Sequence, residues 1–490
     1  MEQEESTYWS VSRPKRQRRQ AQGQSQTFAF VEYAGPGRAL STDAESTIRR
    51  HAMKEIGKSR QKPKSSKFVE LDLSALSETR SGPMQPSWWL GNFWRQVDSG
   101  ILDPFVRFPI EIDACSRRLI ANIFQDDDSG QQKPLRDAWF TVGLEDEAAF
   151  LQVLANSALH LDSILHDGRL AHETSDSMKY HARALESVQR RISDGGTSDG
   201  LLGSVTGFMC HADIVGNVEA WITHYEGLKR MVELRGGVVA VEKNTHLRIT
   251  LSWCEIRGIY MVDTPPAFPL PVQWLSFLHH SPAGVAWCAG QDADGTLVTQ
   301  QSLTDGGEMS RMYQELMLLT RRTFSRASVN TKSSVSTIAG AWVNPMVHVL
   351  LSWRPLELSA EPAALVQEAF RLGALLYLAP IWRHFGVAPV ISDRLVRNLQ
   401  NLLDDPAIDR NENWKVILWA LCVGACETQA DDQVEWFAKT IVSMLREQRI
   451  QSWEDAMVHV RDVLWVDEVL AARASKLEAQ ITHQLQDSQS

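Results

Sequence analysis

The residues with the plainest chemical capacity lie near the start of this 490-residue chain. Arg13-Pro-Lys-Arg-Gln-Arg-Arg19 sets five cations, Arg13, Lys15, Arg16, Arg18 and Arg19, within seven residues. In a flexible polar arm, such a run suits the acidic groove of a nuclear-import receptor or the phosphates of a nucleic acid. The bland alternative is a solvated charge run. Further on, Arg49, Arg50, Lys54, Lys58 and Arg60 form a second basic group able to contact nucleic acid.

The remaining reactive side chains do not converge in the sequence. Six cysteines are scattered at Cys115, Cys210, Cys254, Cys288, Cys422 and Cys426. Cys422 and Cys426 alone are close, and their i, i+4 spacing in an apolar run fits two reduced core thiols better than a metal pair. His160, His166 and His172 recur every six residues, which turns them to different faces of a helix. His224 sits between Trp221 and Leu228 and reads as a packing residue. Asp126-Asp127-Asp128 lacks the alternation and distal Glu of a calcium loop. There is no Gly-x-Ser-x-Gly elbow, phosphate-cradling glycine loop or dinucleotide fingerprint. The expectation is no catalytic residue, no metal and no cofactor. A helical enzyme assembled from distant residues stays open.

The elements that would position these groups are helices. Trp221, Tyr225, Leu228 and Val232 recur at i, i+4, i+7 and i+11, one face of a helix, and Gly236 and Gly237 then supply a left-handed stop. Met178, His181/Ala182, Leu185, Val188/Gln189 and Ile192 trace a second stripe. Thr42-Asp-Ala-Glu45 has capping-box spacing ahead of Ile48, Ala52 and Ile56, predicting a short helix near 43–56 that carries Arg49, Arg50 and Lys54. Turn residues at 126–130, 194–200, 263–271 and 404–406 punctuate the rest, and residues 284–297 and 325–336 read as surface loops. No period-2 alternation is sustained, so the fold class is all-α, built from packed helical pairs with no fixed repeat length.

Composition adds an asymmetry. Hydrophobic residues at 43% and charged ones at 22% are ordinary for a globular protein, and the 17 Trp suit gaps where helices meet. The net charge of −10 hides 14 Lys and Arg against 4 Asp and Glu in residues 13–67, a net of +10, while residues 68–490 carry −17. An acidic body repels polyphosphate, so nucleic-acid contact would run through the arm. The organisation expected is a disordered basic arm over 1–82 and a helical body over 83–485. No secretory signal is present, and the longest apolar runs are 11 residues, too short for a bilayer span. These features fit a soluble, reduced, intracellular protein without a membrane partner.

Particular segments resemble the fungal-specific transcription factor domain. They are GLKRMVELRGG (227–237), LRITLSWCEIRG (247–258) and TPPAFP (264–269), within which Gly227, Leu228, Arg235, Gly236, Gly237, Pro266, Phe268 and Pro269 are the motif positions. The arm segment 28–64 and the runs FRLGALLYL, LWALCVGACE, VEWFAKTIVSML and DVLWVDE follow in the family's order, extending the resemblance over about 28–480. It implies an all-helical regulatory domain without a known reaction, nuclear localisation, and a pocket or surface near TPPAFP able to receive a small effector. It also implies control of a metabolic or biosynthetic gene set. The family's usual DNA reader is a cluster of six closely spaced cysteines binding two zinc ions. This sequence departs there, with no Cys before Cys115. Thiolate ligation cannot be supplied by Lys and Arg, so sequence-specific DNA reading falls to a partner: another transcription regulator or a coactivator, with DNA contact indirect or weak through the arm. Leu399-Gln-Asn-Leu-Leu403 has the form of a coactivator-docking helix, though core packing explains it as well. A helical scaffold or small-molecule-binding protein is the alternative function, and the oligomeric state is left open.

Overall fold

Periodic apolar faces become helices wherever the chain is described, and among those residues there is no strand. The computed structural model describes residues 108–124, 133–165, 173–193, 195–272, 274, 308–324, 343–358, 362–384, 387–408, 410–428 and 430–486. The basic arm, the short helix expected near 43–56, the expected start of the body near 83, Asp126-Asp127-Asp128, and the loops expected at 284–297 and 325–336 lie outside that set.

In chain order the helices are α1 (Ala114–Phe124), α2 (Lys133–Leu144), α3 (Glu147–Leu165), α4 (Ser175–Ser193), α5 (Asp199–Val215), α6 (Val218–Leu234) and the short α7 (Val238–Val241). Then come α8 (Thr245–Val262), α9 (Glu308–Phe324), α10 (Asn344–Ser352), α11 (Pro355–Leu358), α12 (Pro362–His384) and α13 (Asp393–Leu403). The last four are α14 (Trp414–Glu427), α15 (Asp431–Glu447), α16 (Trp453–Val463) and α17 (Asp467–Gln486). Side chains close many of the ends. Ser198, Asn217, Asn244 and Ser452 each accept a backbone N–H at the start of α5, α6, α8 and α16.

Neighbouring helices pack as pairs into two groups. One joins α1 through α6, with α3 against α4 and α5, and α5 against α6. The other joins α12 to α13 and α14, and α14 to α15, α16 and α17. Helix α8 touches both, lying against α2, α5 and α6 on one side and α10 and α13 on the other. Fourteen of its 18 residues are buried, so it has no solvent face and shows no amphipathic stripe. Helix α12 is similar. The segment Ala363–His384 is long and apolar enough to cross a membrane, a length the 11-residue runs did not suggest, yet 83% of its most apolar window is buried inside the protein. Its Glu368–Arg371 pair interrupts the apolar run in sequence and is satisfied internally in space.

The expected face of α6 is the buried one, with Trp221, Tyr225, Leu228 and Val232 all in the core. The stripe proposed for α4 is displaced. Ser177, Tyr180, Ala184 and Val188 are its buried residues, whereas Met178 and Ile192 are about half exposed, 49% and 50%. The small Ser177 and Ala184 let α4 approach its neighbours closely, and a pattern keyed to large apolar residues passes over them. Cys422, Cys426, Leu399 and Leu403 are all core residues, in line with their packing reading.

Close approach also fixes Gly258 on α8, where an added Cβ would lie 1.7 Å from the indole of the buried Trp221. Gly258→Ala should therefore destabilise the body by about 1–3 kcal/mol, as overpacked cores do. A lower urea midpoint at unchanged helical circular dichroism would show it. A midpoint equal to wild type would mean that α6 and α8 are not in this contact.

Candidate functional site

The chemically dense region lies around α8 and the segment that follows it. Helix α6 leads into it and stops as the two glycines require. Gly236 N–H donates to Glu233 C=O at 2.9 Å and Gly237 N–H to Val232 C=O at 2.9 Å, the paired bonds of a Schellman stop. Gly236 has φ 101° and Gly237 φ 87°, conformations an L side chain rarely adopts. Arg235 then pairs with Asp199 at the start of α5, and Asn244 Nδ2 donates to the same carboxylate at 2.9 Å. Leu228 is fully buried, while Gly227 is exposed with open space where a Cβ would be. Sterics do not require glycine at 227.

The Pro-rich segment after α8 is strapped down by polar residues of α8 itself. The buried Glu255 carboxylate accepts the Tyr225 hydroxyl at 2.6 Å and the backbone N–H groups of Ala267 and Phe268 at 2.8 and 3.1 Å. Burial raises the Glu255 carboxyl above its ordinary value, and the Tyr225 and backbone donors only partly offset that. Arg248, fully buried, pairs with Glu242 at 2.7 Å and donates to the Pro269 carbonyl. His348 Nε2 donates to the Phe268 carbonyl at 2.9 Å. Phe268 thereby enters the core, while Pro266 is half-buried and the Pro269 ring stays outside.

At the C-terminus of α8, Asp263 adopts φ 51°, a left-handed cap, and turns its carboxylate inward. Arg371 of α12 binds both its oxygens at 2.9 and 3.1 Å, Arg354 reaches Oδ1 at 2.8 Å, and Asn398 of α13 reaches Oδ2 at 2.8 Å. The Arg371 side chain is 0% exposed and Asp263 5%, and Glu368 supplies Arg371 with a second carboxylate. Burial raises the Asp263 carboxyl, but the hydrogen bonds and charge of Arg371, with those of Arg354, outweigh it and hold it below 3.8. One carboxylate thus binds the end of α8 to α12, α13 and the turn before α11. A second node lies close in the fold. Glu427 accepts from Arg383 at 2.7 Å, Arg473 at 3.2 Å and Ser392 at 3.3 Å, and Ser392 Oγ lies 3.0 Å from the Tyr260 hydroxyl of α8.

A third polar group occupies the first helical half. The His181 and His211 rings stack with centroids 4.0 Å apart, and His224 packs on Phe208 at 5.3 Å. His181 Nδ1 is 3.0 Å from Gln152 Oε1, His211 Nε2 is 3.2 Å from Ser177 Oγ, and Glu173 lies 3.9 Å from His211. Burial, together with the neighbouring imidazoles, lowers His211 to about 3 and His181 to about 4. His224 is lowered by burial too, which fits its expected packing role. His160 is exposed, and among the described residues no group of three or more His, Cys, Asp or Glu has the arrangement of a metal site.

These arrangements lock geometry. Their carboxylates face guanidinium groups, amides or hydroxyls, and their imidazoles stack in a neutral cluster. Sequence reading found the backbone of this region through TPPAFP and GLKRMVELRGG. It missed Asp263, Arg354, Arg371, Asn398, Glu427 and the His181–His211 stack, because each set is spread over more than a hundred residues or four helices. The one available signal was charge within apolar runs, at Glu368, Arg371 and Glu427. The arm cations Arg13, Lys15, Arg16, Arg18, Arg19, Arg49, Arg50, Lys54, Lys58 and Arg60 lie outside the described residues.

Each packed group of helices lies largely within a segment that family comparison finds. The family described as the fungal specific transcription factor domain matches residues 115–255 and 326–465, together more than half of the chain. The chain belongs to this family. Its domain is one of transcriptional regulation, which implies a nuclear role and suggests a non-enzyme. No curated protein and no solved structure matches the chain. The first matched segment holds Gly227, Leu228, Arg235, Gly236 and Gly237 and ends at Glu255, within α8. Pro266, Phe268 and Pro269 fall between the two matched segments, and the arm precedes them.

Asp263 is the position that tests the joint. Asn tolerates a left-handed backbone, so Asp263→Asn removes charge without adding strain, and should cost ~3 kcal/mol, the lower end for breaking a buried pair. Since the folded-state carboxyl is depressed, the contribution of Asp263 is fully present above about 3.8 and is lost as pH falls through the lower folded value. Urea midpoints of the two proteins should differ clearly at neutral pH and converge in strong acid. The histidines act higher on the pH scale. Their folded values of about 4 and about 3 lie below the ordinary 6.5, so the unfolded chain takes up protons that the folded chain refuses. Stability should fall as pH drops below about 6.5 and keep falling toward those folded values. In His181→Gln/His211→Gln the drop between pH 7 and 5 should shrink. An unchanged drop would locate acid sensitivity elsewhere.

Proposed function

We propose that this protein is a nuclear transcriptional regulator that acts through protein partners, with its helical body as the partner-binding part and its basic arm as the import signal. Family membership over both helical groups carries the reading. Electrostatics divides the labour. Residues 68–490, net −17, disfavour approach to a duplex, whereas residues 13–67, net +10, favour acidic import receptors or phosphates. With no Cys before Cys115, the thiolate zinc cluster that reads DNA in such regulators has no ligands in the arm, so a partner regulator or coactivator would select the DNA site. A metabolic or biosynthetic gene set is the proposed target class. The joint around α8 supports a body that presents fixed outer faces: its charges are consumed internally, by Asp263, Arg371, Glu427 and Glu255.

The test replaces Arg13, Lys15, Arg16, Arg18 and Arg19 by Ala in the full chain and maps chromatin occupancy. Nuclear signal should drop several-fold, and a heterologous import signal should restore it. Locus-specific occupancy in the restored protein supports a DNA-reading partner. Occupancy that stays lost in nuclei shows instead that the arm itself holds DNA. Undiminished nuclear signal in the Ala variant would overturn the import role.

A further inference from the structure

Helices α5 and α8 run side by side in one register. Arg257 of α8 pairs with Asp213 of α5 at 2.6 Å, 44 positions apart in sequence. Towards the other end, a Cβ on Gly203 would lie 3.9 Å from Leu247, and these two positions share that separation. Two contacts with one offset mean that the helices are parallel and that the same face of each meets the other along their length. Cys210 and Cys254 lie three residues before Asp213 and Arg257, so the register sets them opposite each other. The register brings the two thiols side by side, with Cys254 buried and Cys210 half-buried.

We propose that Cys210 and Cys254 form an oxidation-sensitive thiol pair, closed to a disulfide by hydrogen peroxide and reopened by thiol reductants. Cys210 is the partner that solvent reaches, so it is oxidised first: its sulfur takes one oxygen of the peroxide to give a sulfenic acid, and one water leaves. The Cys254 sulfur then attacks that sulfur, the S–O bond breaks, and hydroxide departs with the Cys254 proton as a second water. Two thiols lose two electrons in all, and one peroxide gains them. The adjacent Cys210 thiol, burial and the Asp213 charge raise the Cys254 thiol, so it is not the first site of attack, and its closeness to Cys210 rather than its acidity must drive the second step. Among the described residues the other cysteines lack such a partner. Cys422 and Cys426 share one helix with burial raising both, and Cys115 lies in α1 beside Asp176 and Tyr180. The bridge would join α5 to α8 one turn from Arg257, whose guanidinium also donates to the Pro389 carbonyl ahead of α13. It therefore bears on the joint between the helical groups. In a reducing compartment a pair of this kind is a transient, regulatory one.

The experiment exposes the purified full chain to hydrogen peroxide, blocks remaining thiols, digests without reductant and maps cross-linked peptides by mass spectrometry. The expected product links the Cys210 and Cys254 peptides, disappears on reduction, and comes with a higher melting temperature than the reduced protein has. Cys210→Ser should abolish both the link and the shift, and Cys115→Ser should leave both. Since Cys210 is only half-buried, its serine variant remains foldable where Cys254→Ser strains the core. Recovery of Cys210 as sulfinic acid beside an alkylatable Cys254, or a link from Cys210 to any other cysteine, would overturn the proposal.

Discussion

One carboxylate sets the terms for the second half of this body. Asp263 ends α8 in a left-handed turn, and a residue there is driven to the surface unless something compensates its burial. Arg371, Arg354 and Asn398 do so from three separate places in the chain. Burying such ions carries a desolvation cost that their attraction need not exceed. The stability of the body must therefore come from its apolar core, which includes Trp221, Trp382 and Trp419 at 1% exposure or less. What the ionic joint adds is uniqueness. A guanidinium and a carboxylate held by two parallel bonds tolerate little sliding, whereas apolar helices such as α12 and α14 can slip past one another at small cost in area.

The same logic runs along all of α8. A helix buried on every side cannot choose its rotation by hydrophobicity, because each rotation buries the same kind of surface. Its polar residues choose instead. Arg248 and Glu255 face the Pro-rich strap, Arg257 faces Asp213, and Tyr260 faces Ser392. Three directions are specified within about four turns of helix. Gly258 adds a steric condition, since only there can the Trp221 indole lie against the α8 backbone. Two family-matched segments separated by a long unmatched stretch can hold one arrangement because this helix is keyed to both.

Local periodicity was enough to find the amphipathic helices. The buried face of α6, its glycine stop and the turn at 404–406 follow from rules that act within a few residues. Helix α4 shows where those rules weaken. Its core face carries Ser177 and Ala184, which are small rather than hydrophobic, while Met178 and Ile192 look like core residues and are half exposed. Helices without a face, α8 and α12, hide their orientation from any periodic pattern. The ionic joint was invisible for a different reason: Asp263 and Arg371 are 108 residues apart. Nothing within either neighbourhood announces the other. The arm cations were legible as charge alone, and their role turns on partners rather than on this chain's fold.

Charge segregation then bears on how such a body recognises anything. Its strongest ions are turned inward and spent on one another, so the outer faces retain weaker, more exposed charges such as the Lys439–Glu435 and Arg230–Glu233 pairs, whose side chains are more than half exposed. Exposed pairs of this kind contribute little individually and are screened beyond about 10 Å at ordinary ionic strength. Long-range attraction to a polyanion cannot arise from them against a net of −17 over residues 68–490. It can arise from 14 cations concentrated in residues 13–67. Charge and fold are thus carried by different parts of the chain: residues 13–67 hold the positive charge, and the helical body holds the fixed shape.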